Sequence, residues 1–375
     1  MKNQSQGDCI WLLLGPRSGD NAQIRSIAAH LEMPGVEKHL TYNPLHMVPN
    51  VLKGASLLSL RPSAREIIRP PWPRMVIGVG KRSVAIARYI RKKSGGSTRL
   101  VQLGRPRANR DHFDLVVTTP QYGLLPGANV LELPVPPSGL SKPDDEDLNV
   151  IQRQFTAGKP RPYVILVAGG SNSTATFTTH AARNLARLAQ QHANDLGGSL
   201  FAVASPRTPE PVVETLRREF SAQATFVPWK PVDKGQSNPY AAFLSLGDEI
   251  IVTSDSASMI ADALSVNKPV KIFQLPVGWQ GRFSTCVSAV FNRFDRLAAG
   301  SGTMILLLAP WRGLRGCGLI NPPRQMELLV KPLLDNGLAQ AFPPPVGGEA
   351  PVVETPGNSG VSQGVIRRIA ALIEK

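Results

Sequence analysis

The chain has 375 residues, enough for two domains, and its 42% apolar and 18% charged content is that of a globular protein. No apolar run approaches the roughly 18 residues a membrane-spanning helix needs, and the three cysteines and six histidines show no disulfide or metal-ligand spacing. A net charge of +15 favours polyanionic partners, but RNP-type aromatics, zinc-finger spacing and a basic arm are all missing, so nucleic acid is not expected.

The first apolar run, Ile10–Leu14, reads as a strand, being too short for a signal-peptide core. After the loop Gly15–Asp20, the spacing predicts a helix over Asn21–Leu31, a strand over Val36–Thr41 and a helical stretch near Leu45–Leu60. Strand Met75–Val79, helix Ser83–Lys93 and strand Arg99–Leu103 follow, then short strands at Asp114–Thr118 and Val130–Leu133. Pro134–Pro162 is rich in proline and charge and reads as an interdomain connection. The alternation then restarts: strand Tyr163–Ala168, helix Thr178–Leu196, strand Ser199–Ala204, helix Pro209–Phe220, strand Thr225–Pro228 and helix Asn238–Leu246. Strand Ile250–Thr253, a helix through Met259, Ile260, Ala263 and Leu264, and strand Val270–Leu275 complete the second set. A strand-like run Met304–Leu308, helix Gln325–Leu334, the proline run Phe342–Val346 and a final helix Val361–Glu374 make a less regular tail.

Strands alternating with helices imply parallel sheets covered on both faces, so the expected fold is α/β, with two Rossmann-like doubly wound domains facing a central cleft. The expected boundaries are an N-terminal domain at 8–140, a linker at 141–162, a C-terminal domain at 163–290 and an extension at 291–375 whose last helix packs back on the first domain.

Ligands of such sheets sit beyond the carboxyl ends of the strands. Ser254-Asp255-Ser256 lies between a strand and a helix, where free backbone N–H groups suit phosphate, and Asp262 two turns on is placed for a ribose hydroxyl. The same residues also read as an ordinary capped βαβ unit. Gly169-Gly170-Ser171-Asn172 allows close backbone approach to a pyrophosphate, or simply makes a tight turn; it is not a G-x-G-x-x-G fingerprint. Arg207, between Pro206 and Pro209 in a strand-to-helix loop, is placed either for paired hydrogen bonds to phosphate or as a surface residue. Gly80-Lys81 lacks P-loop spacing, which argues against nucleoside triphosphate hydrolysis. Asp20 is a candidate general base, and equally a candidate N-cap for the helix expected at Asn21. Arg17 beside it is placed for a leaving phosphate or an anionic acceptor. From Lys81 to Arg110 there are ten Lys or Arg and no Asp or Glu, which reads as a surface for anionic lipid or as a solvated basic face.

In order and spacing, several of these loops resemble the elongated-mitochondria (mitochondrial fission) family between about residues 10 and 290. The carriers are Gly15-Pro16-Arg17-Ser18-Gly19-Asp20-Asn21-Ala22-Gln23, Gly80-Lys81-Arg82-Ser83, Val101-Gln102-Leu103-Gly104-Arg105-Pro106, Gly169-Gly170, Ser205-Pro206-Arg207-Thr208, Asn238-Pro239-Tyr240 and Thr253 through Met259. Asp262 stands where the family usually has Glu, and Asn267 where it has Gly. The family resembles glycosyltransferases of the GT-B type, which implies a metal-independent transferase with a nucleotide-sugar donor in the C-terminal domain and no cofactor. On that resemblance Gly169, Gly170, Ser171, Asn172, Ser205, Arg207, Thr208, Asn238, Tyr240, Ser254, Asp255, Ser256, Ser258, Met259 and Asp262 hold the donor. Gly19, Asn21, Gln23, Lys81, Arg82, Ser83 and Arg105 lie on the acceptor side, with Asp20 and Arg17 catalytic. The expected acceptor is an anionic glycolipid or other cell-envelope molecule, and the expected place is the cytoplasm, peripheral on the inner face of the membrane. Plant members of the family act in mitochondrial division, so a non-catalytic scaffold that recruits a protein partner is the alternative. A sugar-nucleotide epimerase is a further one, though its catalytic His and several carboxylates are not evident in these loops.

Overall fold

The computed structural model describes residues 7–172, 174–230, 239–299, 307–344 and 359–373. The chain divides into two compact units: Met1–Gly139, Thr285–Pro323 and Ser359–Lys375 make the first, Leu140–Ser284 and Arg324–Asn358 the second.

Strands β1 (Ile10–Leu14), β2 (Gly35–His39), β3 (Met75–Val79), β4 (Arg99–Leu103), β5 (Leu115–Thr118) and β6 (Val130–Glu132) form the first sheet, in the order β2-β1-β3-β4-β5-β6. Every pairing is parallel. Side chains alternate across a strand with period two, and both faces of this sheet are apolar. Trp11, Leu13, Val76, Leu100 and Val116 are buried on one face with Val84, Ile86 and Ile90 of the Val84–Lys93 helix. Ile10, Leu12, Leu14, Ile77 and Val101 are buried on the other with Ile24 and Ile27 of the Ser18–Ala28 helix. Val365 and Ile369 of the closing helix, Ser359–Ile373, are buried in that same cluster.

The second sheet comprises β7 (Tyr163–Ala168), β8 (Ser199–Ala204), β9 (Thr225–Val227), β10 (Glu249–Thr253), β11 (Val270–Phe273) and β12 (Gln340–Phe342), in the order β12-β11-β10-β7-β8-β9 and again all parallel. Val164, Leu166, Leu200 and Ala202 pack against Ala182, Leu185, Ala186 and Ala189 of the Thr179–Asp195 helix. Thr178 caps that helix by accepting the Ala181 N–H at 3.1 Å. Each unit is therefore a doubly wound α/β layer structure.

Four expectations are corrected. The helix after β1 begins at Ser18, not Asn21, because residues 18–20 already take helical geometry with Arg17 as N-cap. The helical stretch expected near Leu45–Leu60 is confined to a 3-10 turn at Pro44–Met47 and a short helix at Asn50–Lys53, since Pro49 lacks an N–H to continue the ladder and Gly54 ends it at φ 58°. Pro134–Pro162 is more than a linker: Asp144 caps a helix at Asp145–Ile151, a π-turn at Gln152–Thr156 continues it, and Phe155 packs edge-on to Phe243 at 5.4 Å. The tail is not one extension, because Gln340–Phe342 pairs with β11 in the second unit while the closing helix joins the first. Most of the run expected as a strand at Met304–Leu308 lies outside the described residues.

Candidate functional site

In the second unit the chain runs outward from β7 through β8 to β9, then returns to β10 on the other side of β7. The topological switch point thus lies between β7 and β10, where ligands of open parallel sheets sit. Gly169 and Gly170 leave β7 there, beside Thr253 and Asp255 leaving β10. The Gly169 N–H donates to Thr253 Oγ1 at 2.8 Å, and the Gly170 N–H donates to Asp255 Oδ2 at 2.9 Å. A Cβ on Gly169 would lie 2.0 Å from Asp255 Oδ1, and one on Gly170 would lie 2.2 Å from the Arg207 carbonyl oxygen, so neither position accepts a side chain. The expectation that these two amides face a pyrophosphate is corrected, because side chains of the neighbouring strand end take both N–H groups.

Asp255 is the hub of this arrangement. Its carboxylate is fully buried, and it also accepts the Thr253 hydroxyl at 2.7 Å and Arg207 Nη2 at 3.3 Å. Burial pushes its pKa up, and the Gly170 N–H, the Thr253 hydroxyl and the Arg207 charge oppose that rise. Arg207 is held by one edge, with 48% of its side chain exposed. Its loop is fixed locally: the Thr208 hydroxyl donates to the Gly169 carbonyl at 2.5 Å, the Ser205 N–H donates to Thr208 Oγ1 at 2.9 Å, and the Arg207 N–H donates to Ser205 Oγ at 3.2 Å.

The polar groups after β7 also serve the loop. Ser171 Oγ accepts the Phe177 N–H at 3.0 Å, and Asn172 Oδ1 accepts the Thr174 and Ala175 N–H groups at 2.7 and 2.8 Å. Asn172 Nδ2 donates to the Asp255 carbonyl at 2.9 Å, joining the two strand ends. Ser254 Oγ accepts the Leu275 N–H at 3.1 Å. Ser256 is the N-cap of the Ala257–Ser265 helix, but no side chain caps that helix; the Ser256 and Ser258 hydroxyls lie 3.3 Å apart. Met259 is buried. Further along the helix, Asp262 Oδ2 accepts the Tyr240 hydroxyl at 2.9 Å, and burial together with the Asp262 charge raises the Tyr240 pKa. Asn238 lies outside the described residues. A polar hollow of about 190 Å³ opens beside Asn172, lined by Thr174, Thr176, Trp279 and Gln280.

In the first unit the switch point falls between β1 and β3. Asn21 clamps the loop after β1, accepting the Gly15 N–H at 2.9 Å and donating to the Gly15 carbonyl at 2.8 Å. Asp20 sits in the first turn of the Ser18–Ala28 helix with its side chain 37% exposed, 4.0 Å from Arg17 Nη1. It is therefore not the N-cap. Gly19 is exposed and Gln23 half-buried. Ser83 is buried, its hydroxyl donating to the Val79 carbonyl at 3.2 Å. Arg105 is buried as well and donates to the Tyr122 and Pro322 carbonyls, both at 2.7 Å, so it holds the fold rather than facing a ligand.

The ten cations from Lys81 to Arg110 do not form one free face. Arg91 and Arg99 bind Asp114, four residues beyond the run, at 2.8 and 3.3 Å, and Arg110 donates to the Leu125 carbonyl at 2.6 Å. Lys81, Arg82 and Arg107 make no ion pair with a carboxylate among the described residues. Burial lowers the Lys81 pKa, and the charges of Arg107, Arg82 and Arg17 lower it further. Lys53, which the sequence reading did not single out, is buried, and burial with the Lys81 charge pushes its pKa down to about 8. Neither Lys53 nor Arg107 carries a motif; only the fold brings them to these strand ends.

Among the described residues there is no cluster of three or more His, Cys, Asp or Glu able to hold a metal ion, and no helix is long and apolar enough to cross a membrane. The sequence profile of the family Mitochondrial fission ELM1 matches residues 18–294, and the chain belongs to that family. It is 25% identical over 298 residues to the uncharacterized protein RP120 of Rickettsia prowazekii, covering 71% of this chain and 83% of that one. It is 27% identical over 235 residues to the mitochondrial fission protein ELM1 of Arabidopsis thaliana, covering 56% of this chain and 53% of the plant protein. Among solved structures it is similar to the S. aureus MnaA-UDP co-structure (TM-score 0.45, 10% identity, 91% of this chain and 100% of that one). It is also similar to the E. coli ADP-heptose lps heptosyltransferase II (TM-score 0.42, 11% identity, 71% and 84%).

Proposed function

We propose that this member of the Mitochondrial fission ELM1 family is a glycosyltransferase of GT-B type, binding a nucleotide-sugar in its second unit and passing the sugar to an anionic cell-envelope acceptor held by its first. The observation that carries the reading is Arg207: a half-exposed guanidinium fixed on the buried Asp255 at the switch point, next to a helix N-terminus with no side-chain cap. A diphosphate there gains charge-assisted hydrogen bonds and the positive end of the helix. The adjoining hollow by Asn172, Thr176 and Trp279 has room for part of the donor.

In this reading Asp20 takes the proton of the acceptor hydroxyl as that oxygen bonds to the anomeric carbon. The bond from that carbon to the diphosphate breaks, and the diphosphate leaves with the electron pair. Arg207 and the helix N-terminus, rather than a metal ion, offset the charge that builds on it. The place of action is the cytoplasm, at the inner face of the membrane. Calorimetry with uridine, adenosine, guanosine and cytidine diphosphates tests donor binding, and Arg207→Ala should weaken whichever binds. Unchanged affinity in the variant removes Arg207 from the site.

One observation favours a second reading. The amides of Gly169 and Gly170, the side chain of Asn172 and the Asp255 carboxylate are all engaged inside the protein. A scaffold that kept the fold while recruiting a protein partner has the same need for fixed loops. That reading predicts no nucleotide-dependent change in stability, so the same titrations separate the two.

A further inference from the structure

The cations at the carboxyl ends of β1, β3 and β4 go beyond what sugar transfer requires. These strands are neighbours in register, Leu13 opposite Gly78 and Val79 opposite Leu103, so the loops carrying Arg17, Lys81, Arg82 and Arg107 leave the sheet side by side. A fourth piece of chain is tied over two of them: the buried Asn50 donates to the Lys81 carbonyl at 2.9 Å and to the Pro106 carbonyl at 2.8 Å. That anchor sets the Asn50–Lys53 helix above the loops and brings in Lys53, only 6% exposed. Among the described residues, the Lys53 ammonium donates to the His46 carbonyl at 3.4 Å. Arg107 is held at φ 51°, a conformation that residues other than glycine rarely adopt. Lys53, Lys81, Arg82 and Arg107 lack a carboxylate partner among the described residues, and Asp20 lies 4.0 Å from Arg17.

Like charges gathered at neighbouring strand ends, one of them desolvated, destabilise a fold unless an anion joins them. We propose that the first unit carries a phosphate site built by Lys53, Lys81, Arg82 and Arg107 with Arg17 at its edge, taking the dianion of a phosphomonoester. Lysines meet such a group as point charges, and arginines meet two of its oxygens at once. The proposal stands whether or not a sugar is transferred, because it concerns the first unit alone. A phosphomonoester can come as a small soluble molecule or as a lipid headgroup, and the probes below tell these apart.

The test uses the full chain. Inorganic phosphate and glycerol 3-phosphate are titrated by calorimetry against wild type, Lys81→Gln, Arg107→Gln and Lys53→Met. Each substitution should weaken phosphate about tenfold or more. Lys53→Met replaces a buried ammonium with an apolar chain of similar length and should fold at least as firmly, so lost binding there is not lost structure. The groups around Lys53 are Lys81 from the loop after β3, Arg82, Arg107 and Arg17 around Lys81, and on its own stretch His46, whose Nδ1 meets the Asn43 carbonyl at 2.7 Å. Because Lys53 gives up its proton near pH 8, phosphate affinity should fall as pH rises from about 7 to about 9, more steeply in wild type than in Lys53→Met.

Vesicles containing phosphatidic acid are then compared with phosphatidylglycerol vesicles of equal charge. Preferential binding to phosphatidic acid, reversed by free phosphate, assigns a lipid headgroup; phosphate binding without that preference assigns a soluble ligand. Either result supports the site. No phosphate binding, or phosphate binding that none of the three variants weakens, would overturn it. Nucleoside diphosphate binding through Arg207 is untouched by these substitutions, so failure here is distinct from failure of the donor reading.

Discussion

Arg207, Asp20, Asp255 and Lys53 carry the residue-level predictions. Removing the Arg207 guanidinium should cost about 1.5–3 kcal/mol of diphosphate affinity, the range for charged hydrogen bonds, as read by calorimetry. Asp20→Asn should lower turnover by about 10²–10⁴-fold while leaving donor affinity intact. Since Asp20 lies in a first helical turn and is not a cap, the same change should cost only about 0.3–1 kcal/mol of stability through the helix dipole. Normal turnover in that variant removes Asp20 from the chemistry. Asp255 has a raised pKa, so the folded state holds its proton longer than the unfolded chain, and this group's contribution to stability falls as pH rises through its folded pKa. Lys53 works in the other direction: its folded pKa of about 8 lies below the unfolded value, so stability rises with pH from about 8 to about 10.4. Lys53→Met should therefore raise the melting temperature at pH 7, where the buried charge costs up to about 3 kcal/mol, and flatten that rise. An unaltered pH profile of melting contradicts it.

At the scale of elements, periodicity read the strands well. Ile10–Leu14, Met75–Val79, Arg99–Leu103, Tyr163–Ala168 and Ser199–Ala204 have the bounds that their apolar runs suggest, because both sheet faces are buried and, Arg99 and Gln102 apart, every residue of these runs is apolar or small. Where local signals competed, the reading failed. Asp20 looked like a cap because Asp often is one, yet the helix starts two residues earlier. Gln340–Phe342 is three residues beside a proline run and carries no periodicity, so only its pairing with Phe273 and its neighbours makes it a strand. The Gly169-Gly170 loop was legible as a close backbone approach, but sequence could not say that the approaching group is Asp255 instead of a ligand. Gly170→Ala tests that geometry. The added Cβ meets the Arg207 carbonyl oxygen at 2.2 Å, so the variant should lose about 1–3 kcal/mol in denaturant unfolding and displace the Arg207 loop. A neutral effect on both contradicts the packing described.

At the scale of the molecule, two doubly wound units were legible because the strand–helix alternation stops at residue 133 and restarts at 163. How the later chain is shared between them was only half legible: Val365 and Ile369 follow helical spacing, whereas the return of residues 324–344 to the second unit depends on pairing far along the chain. The candidate site shows the same division. Arg207 and the loop after β10 stand out by position and type, while Lys53 and Arg107 become neighbours of Lys81 only through tertiary structure. The proposed function requires the second unit to bind a nucleoside diphosphate through Arg207. The most direct measurement is the thermal unfolding of wild type and Arg207→Ala with each nucleoside diphosphate. At 100 times its dissociation constant, one of them should stabilise wild type by about 2.7 kcal/mol and Arg207→Ala by clearly less. Melting temperatures that none of the four diphosphates moves, or that move equally in both proteins, would contradict the account.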